Sequence, residues 1–382
     1  MSSVKMKREG WREVRLENIA EPYKSIWKVG DAKMPYIALE HIKENSLCLN
    51  SIGNSDSVAS DKYRFSAGDT LFGKLRPYFR KVVKPDFDGI CSTDIWVIRE
   101  KNRVDKDFIF YFFANPTLVN ISSSTSDGTR MPRADWRFLS QTTWNIPPLP
   151  EQKAIAEVLS SLDDKIDLLH RQNKTLENMA QTLFRQWFIK GENAESKTGV
   201  ISDEFDITMG QSPLGSSYNE EGKGIPMFQG NADFGFRFPQ NRIYTTDPKK
   251  FAKKFDTLVS IRAPVGEQNM AKEQCCIGRG IASFRYKHNS NYYTYTYFKI
   301  KSLINKIKKF NHEGTVFGSI GKKDFEEMKT SIPKKELLEK FEHIAKPIND
   351  RVIENCNQIN TVKNLRDTLL PKLMNGEVRT RK

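Results

Sequence analysis

Cysteine is scarce in this chain, long apolar runs are missing, and acidic residues are outnumbered. The 382 residues include five cysteines (Cys48, Cys91, Cys275, Cys276 and Cys356), an odd number without C-x-x-C spacing. That argues against a disulfide framework or a zinc site and points to a reducing compartment, the cytoplasm. The adjacent Cys275 and Cys276 read as two ordinary strand residues. No run approaches the roughly 18 apolar residues that a membrane span needs. The basic start, Met1 to Trp11, lacks the apolar core of a secretory signal. No membrane partner is expected. Lys and Arg number 61 against 47 Asp and Glu, a formal net charge of +14. A basic surface gains free energy by releasing counterions from phosphates, so nucleic acid is the first partner to consider.

Motifs for catalysis are missing too. Gly318-Ser319-Ile320-Gly321-Lys322-Lys323 lacks the four-residue gap of a phosphate loop and the Ser or Thr that would follow its Lys. Asn115-Pro116-Thr117-Leu118 lacks the second proline and the aromatic of an adenine-methyltransferase motif. Pro85-Asp86 and Glu151-Gln152-Lys153 lie too far apart for a nuclease site, and the second falls at a helix start. His41, His170, His288, His312 and His343 are scattered and form no ligand pair. The expectation is a chain with no catalytic residue, no metal and no cofactor of its own, one that binds and positions.

What is present is a long repeat. Shifted by 186 positions, Tyr111-Phe112 lands on Tyr297-Phe298, Gly128-Thr129 on Gly314-Thr315, Ile146-Pro147 on Ile332-Pro333 and Thr182-Leu183 on Thr368-Leu369. Asp69-Thr70-Leu71 matches Asp256-Thr257-Leu258 one position out of phase, and the spacing predicts that Arg76 then meets Arg262. Solenoid repeats run to roughly 50 residues, so these are two copies of a domain-sized module.

Each module opens with a turn-rich mixed part. Pro35–Leu39, Thr70–Phe72 and Ile95–Ile98 read as strands in the first, and Ile225–Gln229, Leu258–Ile261 and Ile281–Phe284 in the second. Helices are expected over Lys106–Val119 and Tyr292–Phe310, followed by polar loops at Ser122–Arg130 and His312–Ser319. A long helix closes each module. Ile146-Pro147-Pro148-Leu149-Pro150 announces the first, since proline is tolerated only at a helix start. Its apolar seam runs Ile155, Leu159, Leu162, Ile166, Leu169, Asn173, Leu176, Ala180, Leu183, Trp187, at spacings of four and three. The second seam runs Phe341, Ala345, Ile348, Val352, Asn355, Ile359, Val362, Arg366, Leu369, Leu373. Gly191 and Gly376 supply stops. Residues 155–187 make a helix roughly 50 Å long at 1.5 Å per residue.

The seams suit an antiparallel pair in which facing numbers sum to 528. Asn173 then meets Asn355, Trp187 meets Phe341, Leu183 meets Ala345, and Leu162 faces Arg366, whose charged end can reach solvent. A matched Asn layer fixes register at some cost in stability.

Three stretches carry a family likeness: Gly68-Asp69-Thr70-Leu71-Phe72-Gly73-Lys74-Leu75-Arg76-Pro77-Tyr78, Ile146 to Ala156, and Met209-Gly210-Gln211-Ser212-Pro213 followed by Gly224 to Gly230. Through them the chain resembles the specificity subunits of type I restriction–modification systems. Leu369-Leu370-Pro371-Lys372-Leu373-Met374-Asn375-Gly376-Glu377 is similar to the usual ending of that family. The second helix departs from the pattern by opening with Ile332-Pro333-Lys334-Lys335.

The resemblance implies an α+β fold: two target-recognition domains related by a pseudo-two-fold, each followed by a long helix, the helices paired as an antiparallel coiled coil. The expected layout is 1–146 first recognition domain, 147–191 central spacer helix, 192–332 second recognition domain, 333–376 C-terminal spacer helix and 377–382 tail. Each domain would read half of a split double-stranded DNA target. The helices would dock two methyltransferase subunits, which carry S-adenosylmethionine, and two restriction or translocase subunits can join. Two like heads suit half-sites roughly 34 Å apart on one DNA face.

Candidate DNA contacts are the basic and polar residues of turn-rich stretches: Lys74, Arg76, Tyr78, Arg80, Lys81, Arg130 and Arg133 in the first head, and Gln211, Ser212, Ser216, Tyr218, Asn231, Arg262 and Arg279 in the second. Arginine and lysine suit guanine edges and phosphates; asparagine and glutamine suit adenine. Two other readings stay open at this point. A basic coiled-coil scaffold would bind nucleic acid without sequence preference. A self-sufficient DNA enzyme would bind S-adenosylmethionine or cut DNA alone.

Overall fold

The computed structural model describes residues 10–124, 131–190, 197–309 and 320–380. Arg130, Gly191, the second polar loop and most of the first lie outside them. The fold is α+β: two β-rich domains, each followed by a long helix, and the two helices pack together. The chain divides into two compact units, residues 1–166 with 361–382, and residues 167–360. Each unit therefore holds one β-rich head and half of each long helix. A lone helix has no core of its own, so its halves belong to whatever buries them.

In the first unit, Arg12–Arg15 pairs antiparallel with Thr143–Ile146, which closes the head just before the helix. A four-stranded sheet runs in the order Ala20–Tyr23, Ile95–Glu100, Thr70–Gly73, Val82–Val83. A five-stranded sheet has the order Ile26–Trp27, Lys62–Phe65, Gly89–Cys91, Pro35–Ile37, Gly53–Asn54. The expected helix over Lys106–Val119 is two helices, Lys106–Ala114 and Pro116–Ser124. The break at Asn115 follows from the proline behind it, which disfavours helical backbone in the residue it follows. Phe108 to Ala114 are all buried. The helix starts on Asp105, whose carboxylate accepts from the Phe108 N–H at 2.9 Å. Phe72, Trp96, Phe113 and Trp136 interlock around it with ring centroids 5.6–6.5 Å apart.

The second unit repeats this plan. Lys197–Val200 pairs with Lys329–Ile332. The four-stranded sheet is Phe205–Met209, Ile281–Tyr286, Thr257–Ser260, Gln268–Met270. The five-stranded sheet is Tyr218–Asn219, Tyr244–Thr245, Ile225–Phe228, Cys275–Ile277, Phe251–Ala252. Cys275 and Cys276 are buried strand residues. Both heads keep one parallel pair, Tyr36 against Ile90 and Met227 against Cys276. The repeated Asp–Arg pair is structural in both. Asp69 meets Arg99 at 2.8 Å and Asp256 meets Arg285 at 2.6 Å, across neighbouring strands.

The central helix is Leu149–Phe188 and the C-terminal helix Lys335–Met374. Partners run in opposite directions within each unit: Asp163 meets Arg366 in the first, and in the second Asn173 meets Cys356 and Trp187 meets Phe341. Ile155, Leu159, Ile166, Leu169, Asn173, Phe341, Val352, Asn355, Ile359 and Leu373 are buried. Leu162, Leu176, Leu183, Trp187, Ile348, Val362 and Leu369 are half-buried. Ala180 and Arg366 of the expected seams are buried too, and the inner line also takes in Glu177, Phe184, Asn349 and Leu370. A straight helix drifts about 20° per heptad from a strict seven-residue repeat, so the buried stripe slides off a fixed a/d seam.

Two register expectations are corrected. The Asn173 amide nitrogen reaches Cys356 Sγ at 3.5 Å rather than Asn355, and Asn355 is fully buried with neither amide atom bonded to protein. Arg366 does not reach solvent past Leu162. It is 1% exposed and donates to Asp163 Oδ1 at 2.5 Å, while Tyr111 of the head donates to Asp163 Oδ2 at 2.7 Å.

Candidate nucleic-acid interface

The first candidate surface is built by the turn after Thr70–Gly73. Three backbone bonds hold it: Lys74 N to Asp94 O at 2.9 Å, Ala134 N to Lys74 O at 2.8 Å, and Arg76 N to Pro132 O at 2.7 Å. Arg76 and Arg80 both take left-handed backbone, with φ of 51° and 47°, an uncommon conformation for a side chain of this size. The two arginines then part company. Arg76 is exposed, and its guanidinium has no partner among the described residues. Arg80 is 9% exposed, gives Nε to Ala114 O at 2.8 Å and Nη2 to Asp367 at 3.1 Å. The turn is thereby pinned to the C-terminal helix. Lys81 also turns inward, to Leu39 O at 2.8 Å. Arg80 and Lys81 are thus held in structural contacts. Tyr78 is 48% exposed and lies edge-on to Phe79.

Lys74 sits in a cleft of about 60 Å³ with Tyr23, Lys24 and Tyr63 around it and Ile95–Val97 beneath. Burial pulls its pKa below the usual lysine value. Asp94 opposes that shift, while Arg133 and Lys24 reinforce it. Arg133 is exposed and lies 3.3 Å from Asp94. Lys74 thus feels two further cations, Lys24 and Arg133, against a single carboxylate, a local excess of positive charge that attracts an anion. Lys24 and Asp94 were not among the expected residues. Neither lies in a basic run, and only pairing of Ile95–Glu100 with its neighbours brings them to Lys74.

In the second unit the same lattice recurs with other side chains. Ile261 N donates to Gly280 O at 2.9 Å, and Ile320 N to Ile261 O at 3.2 Å. Those bonds equate Ile261 with Lys74 and Gly280 with Asp94. The expected match of Arg76 with Arg262 is therefore corrected: Arg262 takes the place of Leu75, and Ala263 that of Arg76. The one-residue offset of the strands Thr70–Gly73 and Thr257–Ser260 persists into the turn instead of being absorbed before it. Arg262 is exposed, ahead of a cis Ala263–Pro264 bond.

Ser212, Tyr218 and Arg279 come together around Gln229, which was not a candidate. Gln229 is exposed at the end of Ile225–Phe228. Gln211 is exposed beside them, its N–H bonded to Ile277 O at 2.9 Å. Ser216 is exposed in the short turn Gly215–Ser217. Asn231 is half-buried, and its carbonyl caps Phe234 at 3.0 Å. The structure places these two on the same polar face without bonding them to Gln229. A polar residue between an apolar strand and a glycine was the one signal in the sequence that marks Gln229.

The model of the type I restriction modification DNA specificity domain matches this chain twice, over residues 8–178 and 193–363. The chain belongs to that family. It is the DNA specificity subunit of a type I restriction–modification system, a non-catalytic subunit with two target-recognition domains. The MjaX type I specificity subunit of Methanocaldococcus jannaschii is 27% identical over 98% of this chain and 95% of its own length. The EcoDI specificity subunit of Escherichia coli is 33% identical, over 36% of this chain and 31% of its own. The crystal structure of the type I S subunit from M. genitalium has a TM-score of 0.59 at 16% identity, covering 97% of this chain and 98% of the other, and shares the fold. Among its described residues the subunit has no helix long and apolar enough to cross a membrane and no cluster of metal-ligating side chains.

Proposed function

We propose that the two heads read different halves of one split, asymmetric DNA target while the helix pair carries two methyltransferase subunits. In this reading residues 1–146 and 192–332 are the recognition domains, 147–191 and 333–376 the spacer helices, and 377–382 a tail. One observation carries it. The backbone bonds that display Lys74, Asp94 and Arg133 in the first head recur in the second, where the surface shows Gln211, Ser212, Tyr218, Arg262 and Arg279. Like scaffolds with unlike side chains suit like docking on unlike base sequences. Arg76, Tyr78, Lys74 and Arg133 serve the first half-site. Arg80 and Lys81 hold the turn in shape.

The methyltransferase stoichiometry has its own support. Two of the exposed apolar side chains on the central helix have repeat-equivalent counterparts on the C-terminal helix. Val158 at 37% corresponds to Ile344 at 46%, and Met179 at 49% to Leu365 at 47%. Each unit thus shows the same pair, Val158 with Leu365 in one and Met179 with Ile344 in the other, one docking patch per methyltransferase. S-adenosylmethionine is bound by those partners, not by this chain. Restriction subunits join the same assembly, in the cytoplasm. Replacing residues 1–145 with those of a relative, in a host that also makes the methyltransferase, tests the proposal. Mapping of methylated adenines is expected to show one half of the motif changed and the other kept; a change in both halves refutes it.

A further inference from the structure

We propose that Gln229 reads an adenine in the half-site taken by the second head; this rests on the two-head reading above. A chain of hydrogen bonds that is complete in one direction only fixes the Gln229 side chain. The Arg279 backbone N–H donates to Ser212 Oγ at 3.2 Å, and Ser212 Oγ–H donates to Gln229 Oε1 at 2.7 Å. Gln229 Nε2 donates to Tyr218 OH at 2.6 Å, and that hydroxyl donates to Pro213 O at 2.9 Å. The chain begins at a group that can only donate and ends at one that can only accept. Reversing the amide would turn the Tyr218 hydroxyl from Pro213 O to Oε1, so that three bonds would replace four and Pro213 O would lose its donor. The network therefore favours this orientation of the amide by one hydrogen bond, and successive bonds polarise one another.

Glycine at 278 admits the Gln229 side chain to this seat, and glycine at 280 admits its backbone. A Cβ on Gly278 would lie 2.3 Å from Gln229 Oε1, and one on Gly280 2.2 Å from the Gln229 carbonyl oxygen. Yet Gln229 is exposed. Its Oε1 retains one acceptor direction and its Nε2 one N–H. An acceptor beside a donor is the complement of the adenine major-groove edge, which offers the N6 amino group and N7. Guanine offers two acceptors there, so its O6 would oppose Oε1. An amide free to rotate could accommodate part of that mismatch; this one would give up a hydrogen bond to do so. The position corresponding to Gln229 in the first head is Ala38, because Phe228 and Ile37 accept the same backbone bond, from Gly278 N and Ser92 N respectively. Reading by this route is therefore confined to the second head.

The test uses the chain assembled with its methyltransferase subunits, bound at fixed salt to DNA randomised across both half-sites and sequenced. Gln229→Met is expected to lower the preference for A·T at one base pair of the second half-site by about 5- to 150-fold, leaving the first half-site unchanged. Tyr218→Phe and Ser212→Ala each free one end of the amide. They are expected to relax the same base pair by a smaller factor while thermal melting stays unchanged. The proposal is overturned if the second half-site contains no A·T pair or if Gln229→Met keeps every preference. It is also overturned if Gln229→Met weakens all sequences alike, which would make Gln229 only a tie between loops. A parent complex with no split motif fails the two-head reading as well; a split motif that survives Gln229→Met fails this inference alone.

Discussion

Removing Asp163 should destabilise the first unit about as much as truncating a fully buried residue of its apolar seam. Asp163 is the counter-charge of Arg366, which is 1% exposed and donates to it at 2.5 Å. It also accepts the Tyr111 hydroxyl at 2.7 Å. Breaking a buried pair from one side costs about 3–5 kcal/mol, because the remaining charge has lost its partner. Arg366 keeps Asp367 at 3.1 Å, whose side chain is 30% exposed, so the low end applies. The stranded Tyr111 hydroxyl adds about 1 kcal/mol. Asp163→Ala is therefore expected to cost about 3–4 kcal/mol. Replacing the whole cluster with apolar groups, Asp163→Leu with Arg366→Met and Tyr111→Phe, is expected to stay within about 1 kcal/mol of the parent or exceed it. Urea titration followed by tryptophan fluorescence reads this out selectively, since Trp11, Trp27, Trp96, Trp136 and Trp144 lie in the first unit and only Trp187 in the second. A loss below about 1 kcal/mol in Asp163→Ala, or a triple variant as weak as the single one, would refute the reasoning.

Asn355→Leu is expected to stabilise the second unit by roughly 1–2 kcal/mol, because it replaces a buried amide with no protein partner; a lowered melting temperature would count against it. Arg80→Ala should cost about 1–2 kcal/mol of stability, because Asp367 keeps Arg366 at 3.1 Å and Ala114 O loses its donor. Arg76→Ala should leave melting within about 0.5 kcal/mol and act on DNA binding. A phosphate contact lowers the salt slope by about one, and a base contact costs roughly 1–3 kcal/mol at the first half-site alone. Unchanged affinity and slope would remove Arg76 from the interface. Glu342 is 5% exposed, and burial pushes its pKa up to about 7, against the Tyr295 N–H, which donates to it at 2.6 Å. A carboxyl with a raised folded pKa contributes stability that is complete below its unfolded pKa and is lost as pH rises through about 7. The second unit is thus expected to lose about 1 kcal/mol between pH 6 and pH 8, and Glu342→Gln to abolish that slope in melting curves.

Much of the architecture is legible in the chain as a string. The 186-residue offset, the proline-announced central helix and the alternation of strand-like and seam-like stretches depend on local periodicity and backbone chemistry, which each segment carries by itself. The lack of zinc-ligand or phosphate-loop spacing in the sequence is likewise a matter of residue type and order. Which side of a long helix is buried is another matter. It is decided by what packs there, so Phe184 and Leu370 displaced Trp187 and Leu369 from the inner line. Arg366 became the centre of an ion cluster because Asp163 and Tyr111 arrive from two other elements. The candidate interface divides in the same way. Arg76 and Arg80 look alike four residues apart in one turn, but left-handed backbone at both sends one guanidinium to solvent and the other to Asp367. Gln229 carries no charge and belongs to no run. Its bonds to Ser212 and Tyr218, 17 and 11 residues away in the chain, exist only once the sheet has closed and three loops share one edge. Long-range partners are chosen by the fold, and a side chain's role there follows from its partners rather than from its type.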